Sequence, residues 1–319
     1  MKDELNYAFE EIYYNQSPKK SKKRNKGFIN SEDKTELVID VPKSEAKPLV
    51  EPDQNITVQL IAKPEFYSVG SAINIGKRKY QQDSVVISNN DFTNPCKNNK
   101  VFAVLSDGMG GMNGGEKASY ICTSQMLENY GMWDQILDYP SFIKQNLVNI
   151  DSEIFSLKDD RGNPLGAGAT IVCCAIENDN MYWATVGDSH IYHINSQGIK
   201  QLNQEHNYKL QLDQMVQNGE ITAVMAETNT QKEALISYMG IGGLPMIDQN
   251  IQPIQLEQND IVLLCSDGLY RVLSDEEIYS IVTNNKTDIP LLANMLINHA
   301  IDKQYKFQDN ISAILIKKI

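Results

Sequence analysis

Two apolar runs in this chain end in the same three residues. Val101-Phe102-Ala103-Val104-Leu105 leads into Ser106-Asp107-Gly108, and Ile261-Val262-Leu263-Leu264-Cys265 leads into Ser266-Asp267-Gly268. A short apolar run bounded by glycine reads as a buried strand, and each of these strands releases a carboxylate at its mouth. Taken singly, an Asp-Gly after a strand is more often ordinary turn chemistry. Taken together, two such aspartates from distant segments suggest a divalent-metal site.

The rest of the chain says what surrounds those strands. From Phe66 onward the pattern predicts strands at 66–76, 84–88, 101–106, 168–176, 181–186, 190–194, 261–265 and 311–317. Helical stretches at 115–130 and 141–156 are consecutive, and Ile143, Leu147, Ile150 and Ile154 give the second one apolar face. Ser274 to Glu277 forms a capping box, and Leu292, Met295 and Leu296 stripe a helix after Pro290. Strand blocks interrupted by helix pairs, without strict βαβ alternation, indicate an α+β fold of antiparallel layers. Residues 1–62 read differently, with the basic cluster Lys19 to Lys26 followed by acidic, proline-punctuated sequence, and are expected to be a disordered tail. Leu5, Ala8, Phe9 and Ile12 have the spacing of a short amphipathic helix that could dock a partner. Residues 63–319 then form the folded domain.

Composition removes several classes of function. A net charge of -12 opposes broad binding to nucleic acid or to an anionic membrane. No apolar stretch approaches the roughly 20 residues that span a bilayer, and the polar N-terminus lacks a signal-peptide core, so a soluble, cytoplasmic protein is expected. The five cysteines include no C-x-x-C pair, and the four histidines are scattered, which does not suit zinc. Oxygen ligands and a hard cation fit better.

Three more carboxylates lie at strand boundaries: Asp83 after Arg78-Lys-Tyr-Gln-Gln82, Asp188 in Gly187-Asp188-Ser189, and Asp309 before the last strand. Antiparallel strands joined at one end would bring these mouths to a single cleft, where bound cations must offset their repulsion. Mg²⁺ or Mn²⁺ suits such an all-oxygen shell, and a pair of them can activate a shared water. Arg78 offers a guanidinium fork for phosphate, although beside Lys77 and Lys79 it reads equally as one of a surface basic patch. Gly108, Gly110, Gly111, Gly114 and Gly115 permit close backbone approach at the cleft.

The ordered set Arg78-x-x-x-Gln82-Asp83, Ser106-Asp107-Gly108-Met-Gly-Gly, Gly166-Ala-Gly-Ala-Thr170, Gly187-Asp188-Ser189, Cys-Ser-Asp267-Gly268-Leu and Asp309-Asn310-Ile-Ser resembles the metal-dependent type 2C protein serine/threonine phosphatases of bacterial type. The resemblance runs from about Phe66 to the C-terminus. It implies a four-layer α-β-β-α sandwich, two antiparallel sheets flanked by antiparallel helix pairs, and a Mg²⁺ or Mn²⁺ pair at one end. It further implies that Asp107 bridges the two ions, that Asp267 and Asp309 complete the first, and that the Gly108 carbonyl serves the second. Asp83 would bond the metal-bound water, with Gln82 in the shell behind, Arg78 would bind and orient the phosphoryl group, and Asp188 with Asp267 would hold a third, weaker ion. Hydrolysis of phosphoserine and phosphothreonine would proceed in one step through a hydroxide bridging the two ions. The partners implied are phosphorylated proteins, the products of a Ser/Thr kinase.

The chain also departs from that family. Gln82 stands where an acidic residue is usual and adds no charge, which predicts weaker binding of the second ion. His190 follows Gly-Asp-Ser in place of the usual Arg, and residues from about 203 to 247, in the position of a mobile flap, lack the usual flap motifs. Met109 occupies the position of a candidate general-acid histidine in eukaryotic members, leaving the acid unassigned. The alternative to an enzyme is a weak or inactive regulatory protein that keeps the fold, against which the retention of all five aspartates argues.

Overall fold

Two antiparallel sheets carry the architecture in the computed structural model, which describes residues 56–60, 66–88, 99–109, 114–132, 135–285 and 287–319. The first sheet has six strands in the order β1 (Ile56–Leu60), β2 (Tyr67–Asn74), β13 (Ile311–Lys318), β12 (Ile261–Cys265), β8 (His190–Asn195) and β9 (Gly198–Gln201). The second has β10 (Asp248–Gln249), β7 (Asn180–Val186), β6 (Ile171–Glu177), β4 (Lys100–Met109) and β3 (Asp83–Ser88), with β11 (Ile254–Gln255) on β7 and β5 (Gly168–Ala169) on β4.

Strand periodicity then builds the layers, because successive residues face opposite sides of a sheet. Val101, Ala103 and Leu105 of β4 join Val262, Leu264 and Ile314 of the other sheet in one buried cluster between the sheets. Phe102 and Val104 face outward, onto α1 (Gly115–Gly131) and α2 (Tyr139–Phe155). On the opposite side, Leu263, Ala313 and Leu315 pack under α6 (Asp275–Asn284) and α7 (Ile289–Asp302). Burial of both strand faces explains the uninterrupted apolar runs, and the four-layer α-β-β-α sandwich that the resemblance implied is the observed fold.

Local chemistry sets the helix ends. Asp138 caps α2 by accepting from the Ser141 N–H at 3.1 Å, and Ser274 and Glu277 form the expected reciprocal box at the start of α6. Pro290 lies in the first turn of α7, against β2. There Gly70 is obligatory: a Cβ would sit 2.4 Å from Pro290 Cα. Backbone meets backbone and cannot swing aside, so Gly70→Ala is expected to cost about 1–3 kcal/mol in denaturant unfolding.

Ile56–Leu60, inside the segment expected to be a tail, pairs antiparallel with β2, Ile56 opposite Asn74. Its apolar-polar alternation is that of an edge strand. The rest of the tail, including the residue 5–12 helix and the lysine cluster, lies outside the described residues, as do Gly110 and Gly111. Among the described residues no helix is long and apolar enough to cross a membrane.

Candidate metal centre

Strand directions bring the predicted aspartates to one end of the sandwich. Asp107 near the end of β4 pairs with Asp83 at the start of β3, and the exit of β7 leads to Asp188. In the other sheet Cys265, the last residue of β12, pairs with Ala313 near the start of β13, so Asp267 and Asp309 flank the same edge.

Asp107 is fixed through its backbone. Its N–H donates to Thr170 Oγ1 at 3.1 Å, its carbonyl accepts from the Thr170 N–H at 2.8 Å, and Ser106 Oγ donates to the Thr170 carbonyl at 2.6 Å. Thr170 Oγ1 also shares a 2.7 Å hydrogen bond with Ser189, tying the Asp188 turn to the same anchor. Gly108 is squeezed between neighbours: a Cβ would lie 2.3 Å from the Gly115 carbonyl oxygen and 2.6 Å from that of Gln82, which accepts the Gly108 N–H at 3.0 Å. The missing side chain is therefore required by close packing at the head of α1. Gln82 reaches the same place, since a Cβ on Gly115 would meet its Nε2 at 2.6 Å.

Asp83 joins the sheets. Its Oδ2 accepts from Ser266 Oγ at 2.9 Å and from Ser312 Oγ at 2.7 Å, both on the opposite sheet. Asn310, just before β13, clamps the loop before β3: its side chain accepts from the Gln82 N–H at 2.8 Å and donates to the carbonyls of Ile75 and Tyr80 at 2.9 and 3.1 Å. That clamp sets the loop bearing Arg78, whose side chain is 57% exposed and ion-pairs with Asp309. Asp267 and Asp188 share a different cation: Arg271 Nε is 3.1 Å from Asp267 Oδ2, and its Nη2 is 3.2 Å from Asp188 Oδ2.

The electrostatics are those of anions held together. Burial pushes Asp83 up to about 7, against its serine hydrogen bonds and with help from Asp267 and Asp309. Asp267 rises to about 6, burial outweighing Arg271. Asp107 rises well above the carboxylate range through burial and through repulsion from Asp83, Asp267, Asp188 and Asp309. Burial raises Asp188 as well.

Divalent cations fit this set. Asp83 Oδ1 and Asp267 Oδ1 are buried oxygens with no hydrogen-bond partner, and every candidate donor is oxygen. Among the described residues no three acidic, histidine or cysteine side chains close into a ready-made cage. Such a cage is not needed for Mg²⁺-type ions, which keep several waters and take few carboxylates. Ser266, Ser312 and Thr170 stood inside the quoted motifs without a role of their own, and Arg271 lay outside them. A hydroxyl beside a strand carries no distinguishing pattern, whereas Arg271 had one signal, its position four residues after Asp267 on a helical turn.

Known proteins share this fold. A family model for protein phosphatase 2C matches residues 69–212 and 245–311. The serine/threonine phosphatase stp of Listeria monocytogenes is 25% identical over 225 residues, covering 70% of this chain and 86% of that protein. Protein phosphatase PhpP of Streptococcus pneumoniae is 30% identical over 210 residues, covering 64% and 81%. The solved structure of serine/threonine phosphatase Stp1 from Staphylococcus aureus aligns with a TM-score of 0.65 at 26% identity, over 82% of this chain and 97% of that one. The unmatched interval, 213–244, falls inside the atypical segment noted in the sequence and holds the second half of α3 (Tyr208–Gln217) and all of α4 (Ala223–Glu227). The match on either side of it takes in strands of both sheets and the strand ends that carry the five aspartates, and the chain belongs to the protein phosphatase 2C family.

Proposed function

We propose that this chain, a protein serine/threonine phosphatase by family, hydrolyses phosphoserine and phosphothreonine in one step at a centre of two Mg²⁺ or Mn²⁺ ions held by Asp107, Asp267, Asp309 and the Gly108 carbonyl. The observation that carries this reading is the convergence of buried, mutually repelling carboxylates at one sandwich edge, with two of their oxygens lacking partners. Cations bound there supply a nucleophile at neutral pH and offset the charge on the phosphoryl oxygens.

The chain's own groups do the positioning. Asp83, locked through Oδ2 by two serines, keeps Oδ1 to orient the attacking water. Arg78, kept at the cleft by Asp309, presents a planar fork to the phosphoryl oxygens. Asp188 stands apart from the cation ligands because its Oδ2 accepts from Arg271. The substrates are phosphoproteins made by a cytoplasmic Ser/Thr kinase, with the segment before the sandwich docking a partner.

Phosphate release from phosphothreonine and phosphotyrosine peptides tests the reading. Turnover of the phosphothreonine peptide with Mn²⁺, abolished by a chelator, is expected. Inertness toward phosphoserine and phosphothreonine peptides across Mg²⁺ and Mn²⁺ would make the chain a non-catalytic relative.

A further inference from the structure

Asp188, in the turn that links β7 to β8, and Asp267, just after β12, point one oxygen each at the same guanidinium. Arg271 donates from Nη2 to Asp188 Oδ2 at 3.2 Å, and its Nε lies 3.1 Å from Asp267 Oδ2. These are the two carboxylates that resemblance assigned to a third metal. We infer that Arg271 supplies from within the chain the positive charge a third cation would bring, so that the centre takes two divalent ions and no more. The inference rests on the two-cation reading above.

The local structure holds the guanidinium there. Arg271 ends the short helix α5 (Asp267–Tyr270), and its N–H donates to the Asp267 carbonyl at 3.1 Å, which sets the two side chains one turn apart on the same face. The preceding residue is pinned as well: Tyr270 stacks on buried His190 with ring centroids 3.6 Å apart and planes 11° from parallel. His190 in turn bonds Glu205 through Nε2 at 2.7 Å and Tyr192 through Nδ1 at 2.8 Å. Glu205 adds a third negative charge that acts on both Asp188 and Arg271.

The chemistry explains why a guanidinium and a metal exclude each other. A divalent ion needs the oxygen lone pairs that the guanidinium's N–H groups occupy, and the guanidinium stays charged at every working pH. Asp267 is thereby divided: Oδ2 serves Arg271, and the unpartnered Oδ1 remains for the catalytic cations. Charge compensation of Asp188 then comes with folding and does not vary with the metal concentration. Removing the arginine leaves two facing carboxylates beside Glu205 with no cation, and such a pair recruits one.

Calorimetric titration of Mn²⁺ into the chelator-stripped full chain reads the stoichiometry directly. Two ions are expected in wild type and in Arg271→Lys, which keeps the charge. Three are expected in Arg271→Ala, and two again in Arg271→Ala/Asp188→Ala. Arg271→Gln gives the same answer as the alanine variant should the latter fail to fold. Three ions in wild type, or two in a natively folded Arg271→Ala or Arg271→Gln, would overturn the inference. Fewer than two in wild type would instead sink the two-cation reading on which it stands.

Discussion

Asp107→Ala should lose at least about a hundredfold to a thousandfold in phosphopeptide turnover, the scale of removing one preorganised electrostatic group from a reacting centre. It should do so without unfolding the protein. Asp107 is held by backbone bonds to Thr170 that alanine retains, and its carboxylate is opposed by burial and by four neighbouring aspartates. Metal-free Asp107→Ala is therefore expected to melt no lower than metal-free wild type. Low turnover combined with undiminished stability is the mark of a group kept for chemistry against the interest of the fold. A large loss of stability would instead make Asp107 a structural residue.

Stability of the metal-free protein should fall as pH rises toward neutrality, and Mn²⁺ should reverse that fall. Burial raises Asp83 to about 7 and Asp267 to about 6, from a usual value of 3.8. Between those limits the folded chain holds protons that the unfolded chain has released. The contribution of these groups is fully present below the unfolded pKa and is lost as pH climbs through 6 and 7. The loss between pH 5 and 8 should be on the order of a few kcal/mol. Cations compete with the same protons, so the rise in Tm on adding Mn²⁺ should be larger at pH 8 than at pH 6. A metal-free Tm that climbs over this range, or a Mn²⁺ increment independent of pH, would contradict the assigned centre.

Much of this was readable in the residues because burial leaves a pattern. Strands covered on both faces are apolar throughout, so β4, β6, β12 and β13 announce themselves, and an aspartate at the mouth of such a strand stands out against its apolar neighbours. Short edge strands do not: β10 and β11 are two residues each, held by pairing with β7. β1 had the alternation of a strand but sits near Glu51-Pro52-Asp53 and Pro64-Glu65, whose composition suggested a tail. At the site, carboxylates were visible by position, whereas the hydroxyls that orient them were not. Ser266 and Ser312 acquire meaning only when the two sheets close over Asp83. Arg271 is likewise an ordinary helix-end residue until the β7–β8 turn brings Asp188 to it.

Mn²⁺ occupancy and phosphate release from a phosphothreonine peptide, measured in the same samples for wild type, Asp107→Ala and Asp267→Ala, decide whether the converged aspartates form a divalent-cation centre that hydrolyses phosphoesters. Wild-type turnover is expected to rise with occupancy and to be absent without metal, and both variants are expected to lose occupancy and turnover together. Wild-type turnover in metal-free samples, or variants that keep wild-type turnover, would contradict such a centre.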